Sequence, residues 1–243
     1  MGRYSVPLAP QLADFAGVAR GQRVLDVGCG PGALTSELVG RVGPAAVSAI
    51  DPSERFVTAA RLRNPGADVR LAAAEELPFG DGQFDASLAQ LVVHFMANPA
   101  VGLGEMARVT RPGGVVAASV WDHGGGQGPL SPFWAAAREL DPQVGDESNR
   151  PGAHGGDLTR LFQEAALRDV KETTHSVSIE HPSFDAWWEP ITLGVGPAGA
   201  YTAALDSQRQ IRLRERCREM LPAAPFVITA RAWAARGIVE PDA

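Results

Sequence analysis

The sequence predicts a doubly wound α/β fold on a mostly parallel sheet, and three observations carry that expectation. Short apolar runs rich in Val, Ile, Leu and Ala recur at 23–28, 46–51, 67–72, 84–90 and 114–121. Helical patterns separate several of them, at 32–42, 53–63 and 99–109, the alternation that a parallel sheet with crossover helices requires. The first run leads directly into Gly28-Cys29-Gly30-Pro31-Gly32, a turn that opens a helix.

The elements follow in order. Tyr4 and Ser5 lie ahead of the first strand, in a terminal segment of the kind that is usually frayed. The strand at 23–28 delivers the chain to Gly28, and Pro31 suits the first turn of helix 32–42, where an N–H would be unpaired anyway. The strand at 46–51 ends on Asp51, and Pro52-Ser53 follows, with Ser53 able to cap helix 53–63. Strand 67–72 leads to Ala73-Ala74-Glu75, strand 84–90 ends on Gln90, and strand 114–121 ends on Trp121. Each run is short and mostly apolar, so both faces of each are expected to be buried. Right-handed crossovers place all the carboxyl ends on one edge, where ligands bind. Asp26 to Gly30, Asp51, Ala73 to Glu75 and Gln90 therefore share an edge.

Beyond Trp121 the composition shifts. Two Gly/Pro-rich stretches, 123–132 and 146–157, surround a helix at 131–140 and read as lids. A helix at 156–166, a strand at about 169–179 and a last strand from Phe226 to Ala230 complete the chain. The whole, 1–243, reads as one domain with a core at about 20–122 and a C-terminal region at 123–243.

A chain of 243 residues with 45% apolar content can bury a substantial core. The net charge of −6 gives no basic face for nucleic acid. The run Arg209, Arg212, Arg214, Arg216 and Arg218 is interleaved with Glu215 and Glu219 and reads as a solvated helix face. Two cysteines, Cys29 and Cys217, make neither a disulfide framework nor a zinc quartet, and a reducing cytoplasm is the natural expectation. No apolar run reaches spanning length, so no membrane partner is expected.

The glycine turn fits two cofactor classes. Gly28, Gly30 and Ala33 match the dinucleotide fingerprint, with Asp51 at about the right distance. Asp26, two residues ahead of Gly28, favours the other class. A dinucleotide would bring pyrophosphate anions toward that carboxylate, whereas a cofactor with a free ammonium group would be attracted to it. S-adenosylmethionine carries that ammonium, has a ribose diol for Asp51, and has no phosphate. For Asp51 the competing reading is a helix-dipole partner; for Asp26 it is a carboxylate that braces the loop.

Four blocks then stand in register: VLDVGCGPGALT (24–35), VSAIDPS (47–53), AAAEELPFGDGQFD (72–85) and EMARVTRPGG (105–114). Through them residues 23–121 resemble the core of a class I S-adenosylmethionine-dependent methyltransferase, of the small-molecule group that includes the ubiquinone/menaquinone C-methyltransferases. The resemblance implies a Rossmann-like sheet with an antiparallel C-terminal edge, S-adenosylmethionine as cofactor, and a small-molecule methyl acceptor. It assigns cofactor contacts to Tyr4, Asp26, Gly28, Cys29, Gly30, Asp51, Pro52, Ala74, Glu75 and Gln90. Many relatives carry Asp-Ala-Glu after the third strand; here Ala73 removes the adenine acceptor while the Ala74 backbone donor stays, with Glu75 or a water compensating. About 45 residues, 181–225, separate the last two strands, far more than a hairpin needs, and read as a helical cap.

The acceptor side is assigned to His94, Trp121, Trp187 and Trp188. His94 lies on an otherwise apolar run close to the expected methyl position, with a hydrogen-bonded core histidine as the competing reading. His123 and His154 lie in Gly-rich loops and read as solvated. No His, Asp or Glu cluster has metal-ligand spacing, so no metal is expected. The rival functions are a nicotinamide-dependent oxidoreductase and a non-catalytic S-adenosylmethionine-binding protein.

Overall fold

Strands whose side chains are apolar on both faces take the middle of the sheet, and this explains the order of the elements. The computed structural model describes residues 2–194 and 196–240; residues 1, 195 and 241–243, which fall at the ends and within the cap of the 1–243 assignment, lie outside the described residues. The seven strands are β1 (Val24–Val27), β2 (Val47–Asp51), β3 (Asp68–Leu71), β4 (Phe84–Gln90), β5 (Thr110–Trp121), β6 (Arg168–His181) and β7 (Phe226–Ile238). They form one sheet in the order β3-β2-β1-β4-β5-β7-β6. The first five are parallel, and β7 runs antiparallel to both β5 and β6. The doubly wound sheet with an antiparallel C-terminal edge is thus as the sequence predicts.

β1 and β2 are buried along their whole length. β3 departs from expectation: it is the sheet edge, and of its four residues only Val69 is buried. Two helical layers cover the sheet. On one face lie α1 (Gly2–Ala16), α2 (Ala33–Val42) and α3 (Glu54–Arg63), packed on Val24, Val47, Ala49 and Leu88. On the other lie α4 (Pro99–Val109) and α6 (Asp157–Glu164), packed on Leu25, Val27, Ile50 and Val116. The order reverses between β1 and β4, which opens a crevice at their carboxyl ends.

Two boundaries differ instructively from the sequence reading. The terminal segment is not frayed but forms α1, with Leu8, Ala9, Leu12 and Ala13 fully buried. Pro7 and Pro10 lie inside this helix and hid it, because proline lowers helix propensity even where burial decides the outcome. β7 runs on to Ile238 rather than stopping near Ala230. Its alanines have low strand propensity, but Ala230, Ala232, Ala234 and Ala235 are fully buried against the neighbouring strands.

The β6–β7 pair extends past the carboxyl edge: Trp121, the last residue of β5, pairs with Ala232, while the hairpin continues to the His181–Phe226 pair. That projection carries the cap helices α7 (Phe184–Thr192), α8 (Gly196–Ala204) and α9 (Ser207–Met220), which pack on α5 (Ser131–Leu140). The arginines of α9 are in part structural. Arg214 pairs with Asp185 of α7 at 2.7 Å and Arg216 with Glu139 of α5 at 2.5 Å. Such surface pairs contribute little, and the fully buried Leu213 and Cys217 anchor the helix.

Candidate functional site

The turn after β1 has a backbone that only glycine adopts readily. Gly28 sits at φ +72°, and a Cβ there would lie 2.5 Å from Val92 Cγ1. Gly30, at φ +52°, faces open space where a side chain would be, which leaves its backbone approachable from the edge. The Gly28 and Cys29 N–H groups both donate to the Ile50 carbonyl at 2.8 Å, so the turn is tied to β2. Burial pushes the Cys29 thiol pKa up, leaving it protonated and unreactive.

Asp51 closes the other side. Its Oδ2 accepts from Gly30 N–H at 2.8 Å and its Oδ1 from Ser53 N–H at 2.8 Å. Each oxygen keeps acceptor capacity, and no basic side chain neutralises the carboxylate among the described residues. Pro52 is exposed between these contacts, at the approach to α3.

Asp26 is 1% exposed, and its Oδ2 accepts from Thr35 Oγ1 at 2.6 Å. The bond braces α2 against β1, the loop-bracing role that the sequence left open. Burial raises the Asp26 pKa to about 7; the Thr35 hydrogen bond opposes the rise and the Asp51 charge adds to it. A cation at the edge would draw that proton off.

The third block is shaped by α4. Ala74 is buried, with its Cβ 3.4 Å from where Gly102 would carry one. Glu75 Oε1 accepts from Asn98 N–H at 3.1 Å, at the start of α4. Ala73 is exposed.

Gln90 ends β4, and its Nε2 donates to the Ser5 carbonyl at 2.9 Å while Oε1 is buried without a partner. This bond brings α1 over the edge. Tyr4 is consequently buried there, with its hydroxyl 2.9 Å from His181 Nε2 and its ring edge-on to Trp121. Burial pushes its pKa up to about 12. Leu91 follows Gln90 at φ +62°, an uncommon conformation that turns the chain sharply off the strand.

His94 is 3% exposed, and among the described residues no protein group hydrogen-bonds either ring nitrogen. Burial, then His123, then Arg150 depress its pKa to about 3. Trp121 is fully buried with Nε1 unpartnered. Trp187 and Trp188 lie in the interior of the cap with Phe133 and Phe184, and Trp187 Nε1 also lacks a partner.

Sequence reasoning missed two neighbours of His94. The His123 side chain is only 5% exposed rather than solvated, and Glu147, from the loop before α6, is 2% exposed beside it. No local pattern marks either residue, because positions 94, 123 and 147 meet only through the ends of β4 and β5 and the returning loop.

A methyltransferase-domain family model matches residues 25–118, the stretch from β1 into β5 that holds the glycine turn, Asp51, Ala74 and Gln90. Over residues 25–118 the chain is therefore similar to methyltransferase domains. The chain shares 40% identity over 113 residues with an uncharacterized methyltransferase of Mycobacterium tuberculosis, covering 46% of this chain and 44% of that protein. It is 34% identical over 165 residues to the O-methyltransferase cnsE of Penicillium expansum, covering 64% of this chain and 55% of that one. The chain spans about half the length of the curated relatives it matches. The YcgJ protein of Bacillus subtilis has the same fold at TM-score 0.62 and 17% identity, over 99% of this chain and 100% of that one.

The residues present fit S-adenosylmethionine, the cofactor that the sequence resemblance implies. Two carboxylates without basic partners suit a cation and a diol and would repel a pyrophosphate. The open space at Gly30 leaves backbone accessible, and the unpartnered Gln90 Oε1 supplies a buried acceptor at the same edge. Among the described residues no helix is long and apolar enough to cross a membrane.

Proposed function

We propose that the protein transfers the methyl group of S-adenosylmethionine to a small-molecule acceptor taken in beneath the cap. The observation that carries this reading is the Asp51 carboxylate, pinned by Gly30 and Ser53 N–H groups at the mouth of the glycine turn with acceptor capacity to spare. Asp51 is read as the ribose partner, with Gly28, Cys29, Gly30 and Pro52 lining the approach. The Ala74 N–H is read as the adenine donor, and Asp26 as a charge that favours the ammonium through the turn rather than by contact. Tyr4 and Gln90 cover the amino-acid end. With Glu75 held by Asn98, adenine recognition rests on backbone.

The acceptor is read as polar in part. Gln90 Oε1, both nitrogens of His94 and Trp121 Nε1 are all buried without partners, near the ends of the adjacent strands β4 and β5. Unmet polar atoms in one region suit a ligand that supplies the missing bonds. Trp121 forms the floor, and Trp187 and Trp188 stiffen the apolar roof. The cofactor supplies the activated methyl; the chain aligns the acceptor and excludes water, a contribution of about 7–11 kcal/mol in well-oriented systems. Both cysteines are free and buried, consistent with a reducing cytoplasmic setting.

Calorimetry with S-adenosylhomocysteine and NAD, followed by mass-spectrometric screening of acceptors, tests the reading. Binding of NAD without a response to S-adenosylhomocysteine would overturn it. Tight cofactor binding with no methylated product across hydroxyl, amine and carbon acceptors would favour a non-catalytic binding protein.

A further inference from the structure

We propose that His94, His123 and Glu147 form a binding site for one divalent transition-metal ion of the Zn2+ class. One ligand atom from each residue lies within 4.8 Å of the other two. His94 and His123 face each other with ring centroids 5.6 Å apart, and His123 Nε2 is 3.9 Å from Glu147 Oε1, too far for a hydrogen bond. Donors around a single Zn2+ at about 2.0–2.2 Å stand roughly 3.3 Å apart, so small side-chain rotations close the site.

The polar accounting points to an ion rather than to a relay of hydrogen bonds. Both nitrogens of His94 and Nε2 of His123 are buried without partners. Glu147 is 2% exposed, and no Lys or Arg pairs with it among the described residues. The nearby arginines are otherwise engaged: Arg150 donates to the His94 carbonyl and lies over Phe95, and Arg138 pairs with Asp146. A proton on His123 would answer the Glu147 charge but would leave both nitrogens of His94 unmet. A dication engages one nitrogen of each histidine and one Glu147 oxygen at once.

The rest of the arrangement is what a built site needs. Glu147 Oε2 accepts from Trp134 Nε1 at 3.1 Å, an outer hydrogen bond that orients the carboxylate and leaves Oε1 facing the histidines. Two imidazoles and one carboxylate select Zn2+ and its transition-metal neighbours over Mg2+ or Ca2+, which favour oxygen-only shells. Three protein ligands leave a coordination position open, and a cleft lined by Gly126, Ser131 and Trp134 opens onto His123 and Glu147. An oxygen donor, water or a small-molecule hydroxyl, would complete the shell. The site needs neither the glycine turn nor the cofactor.

Titration of chelator-treated full-length protein with ZnCl2, followed by calorimetry and by metal analysis after gel filtration, tests the proposal. The expected result is one Zn2+ per chain, no comparable Mg2+ binding, and visible ligand-field bands when Co2+ replaces Zn2+. His94→Ala, His123→Ala and Glu147→Gln should each weaken Zn2+ at least tenfold, and Trp134→Phe should weaken it by about ten- to hundredfold through the lost outer bond. His154→Ala, at an exposed histidine, should change nothing. Failure of the unmutated protein to take up Zn2+, or retained affinity in folded His94→Ala and His123→Ala, would overturn the assignment. The unmutated stoichiometry stands as a test even if a variant fails to fold.

Discussion

Replacing Asp51 separates two duties that one carboxylate performs, bracing the glycine turn and, in the proposed function, holding the ribose. Asp51→Ala removes the acceptors of Gly30 N–H and Ser53 N–H, each at 2.8 Å. Hydrogen bonds to a charged group contribute about 1.5–3 kcal/mol each. Gly30 and Ser53 are only partly buried, so water can take over their donors and the lower value applies. The two together then cost about 3 kcal/mol, against a net stability of about 5–15 kcal/mol for a domain. The variant should fold, with its melting midpoint lowered by roughly 6–12 °C. Cofactor affinity should fall by roughly ten- to hundredfold, the equivalent of one lost charge-assisted bond to the diol. Asp51→Asn keeps one oxygen for one of the two N–H groups and should lose about half as much stability while still losing affinity. Urea denaturation and calorimetry with S-adenosylhomocysteine, on the same preparations, read the two duties independently. A folded Asp51→Ala variant that binds the cofactor as tightly as the parent would refute the ribose assignment.

Gly28→Ala forces a side chain at φ +72° into Val92 at 2.5 Å and should abolish cofactor binding with a marked loss of stability, measured by the same two assays. Ala73 is exposed, so Ala73→Asp should be accommodated and hold or improve S-adenosylhomocysteine affinity by up to about tenfold; a large loss in calorimetry would show that the third block binds in another way. The Asp26 pKa is raised to about 7 in the fold from about 3.9 unfolded, so between those values the folded state holds a proton that the unfolded state lacks. This group's contribution to stability is therefore full below about pH 4 and is lost as pH rises to about 7. Asp26→Asn should flatten that dependence, and denaturation midpoints of both proteins at pH 5 and pH 8 that change in parallel would contradict it. Trp188→Ala empties a site 5% exposed and stacked on Phe184, and should cost about 3–5 kcal/mol in chemical denaturation.

The sequence by itself determined the sheet and the turn and pointed to the cofactor class. Mostly apolar strand runs, a glycine turn that needs positive φ, and a carboxylate at or near each of two strand ends are local facts, and local facts survive in one dimension. The family match over residues 25–118 covers this part of the chain. What only the tertiary structure decided depends on segments far apart in sequence. Burial, not propensity, made a helix of a segment containing Pro7 and Pro10 and carried β7 through a run of alanines to Ile238. The Gln90–Ser5 bond spans 85 positions and brings Tyr4 over the edge. Thr35 braces Asp26, and the Asn98 N–H holds one oxygen of Glu75. His94, His123 and Glu147 show the same limit most plainly: metal-ligand spacing is legible only when the donors share a helix or a hairpin. These three come from two strand ends and a loop, so nothing short of the folded chain could place them within reach of one ion.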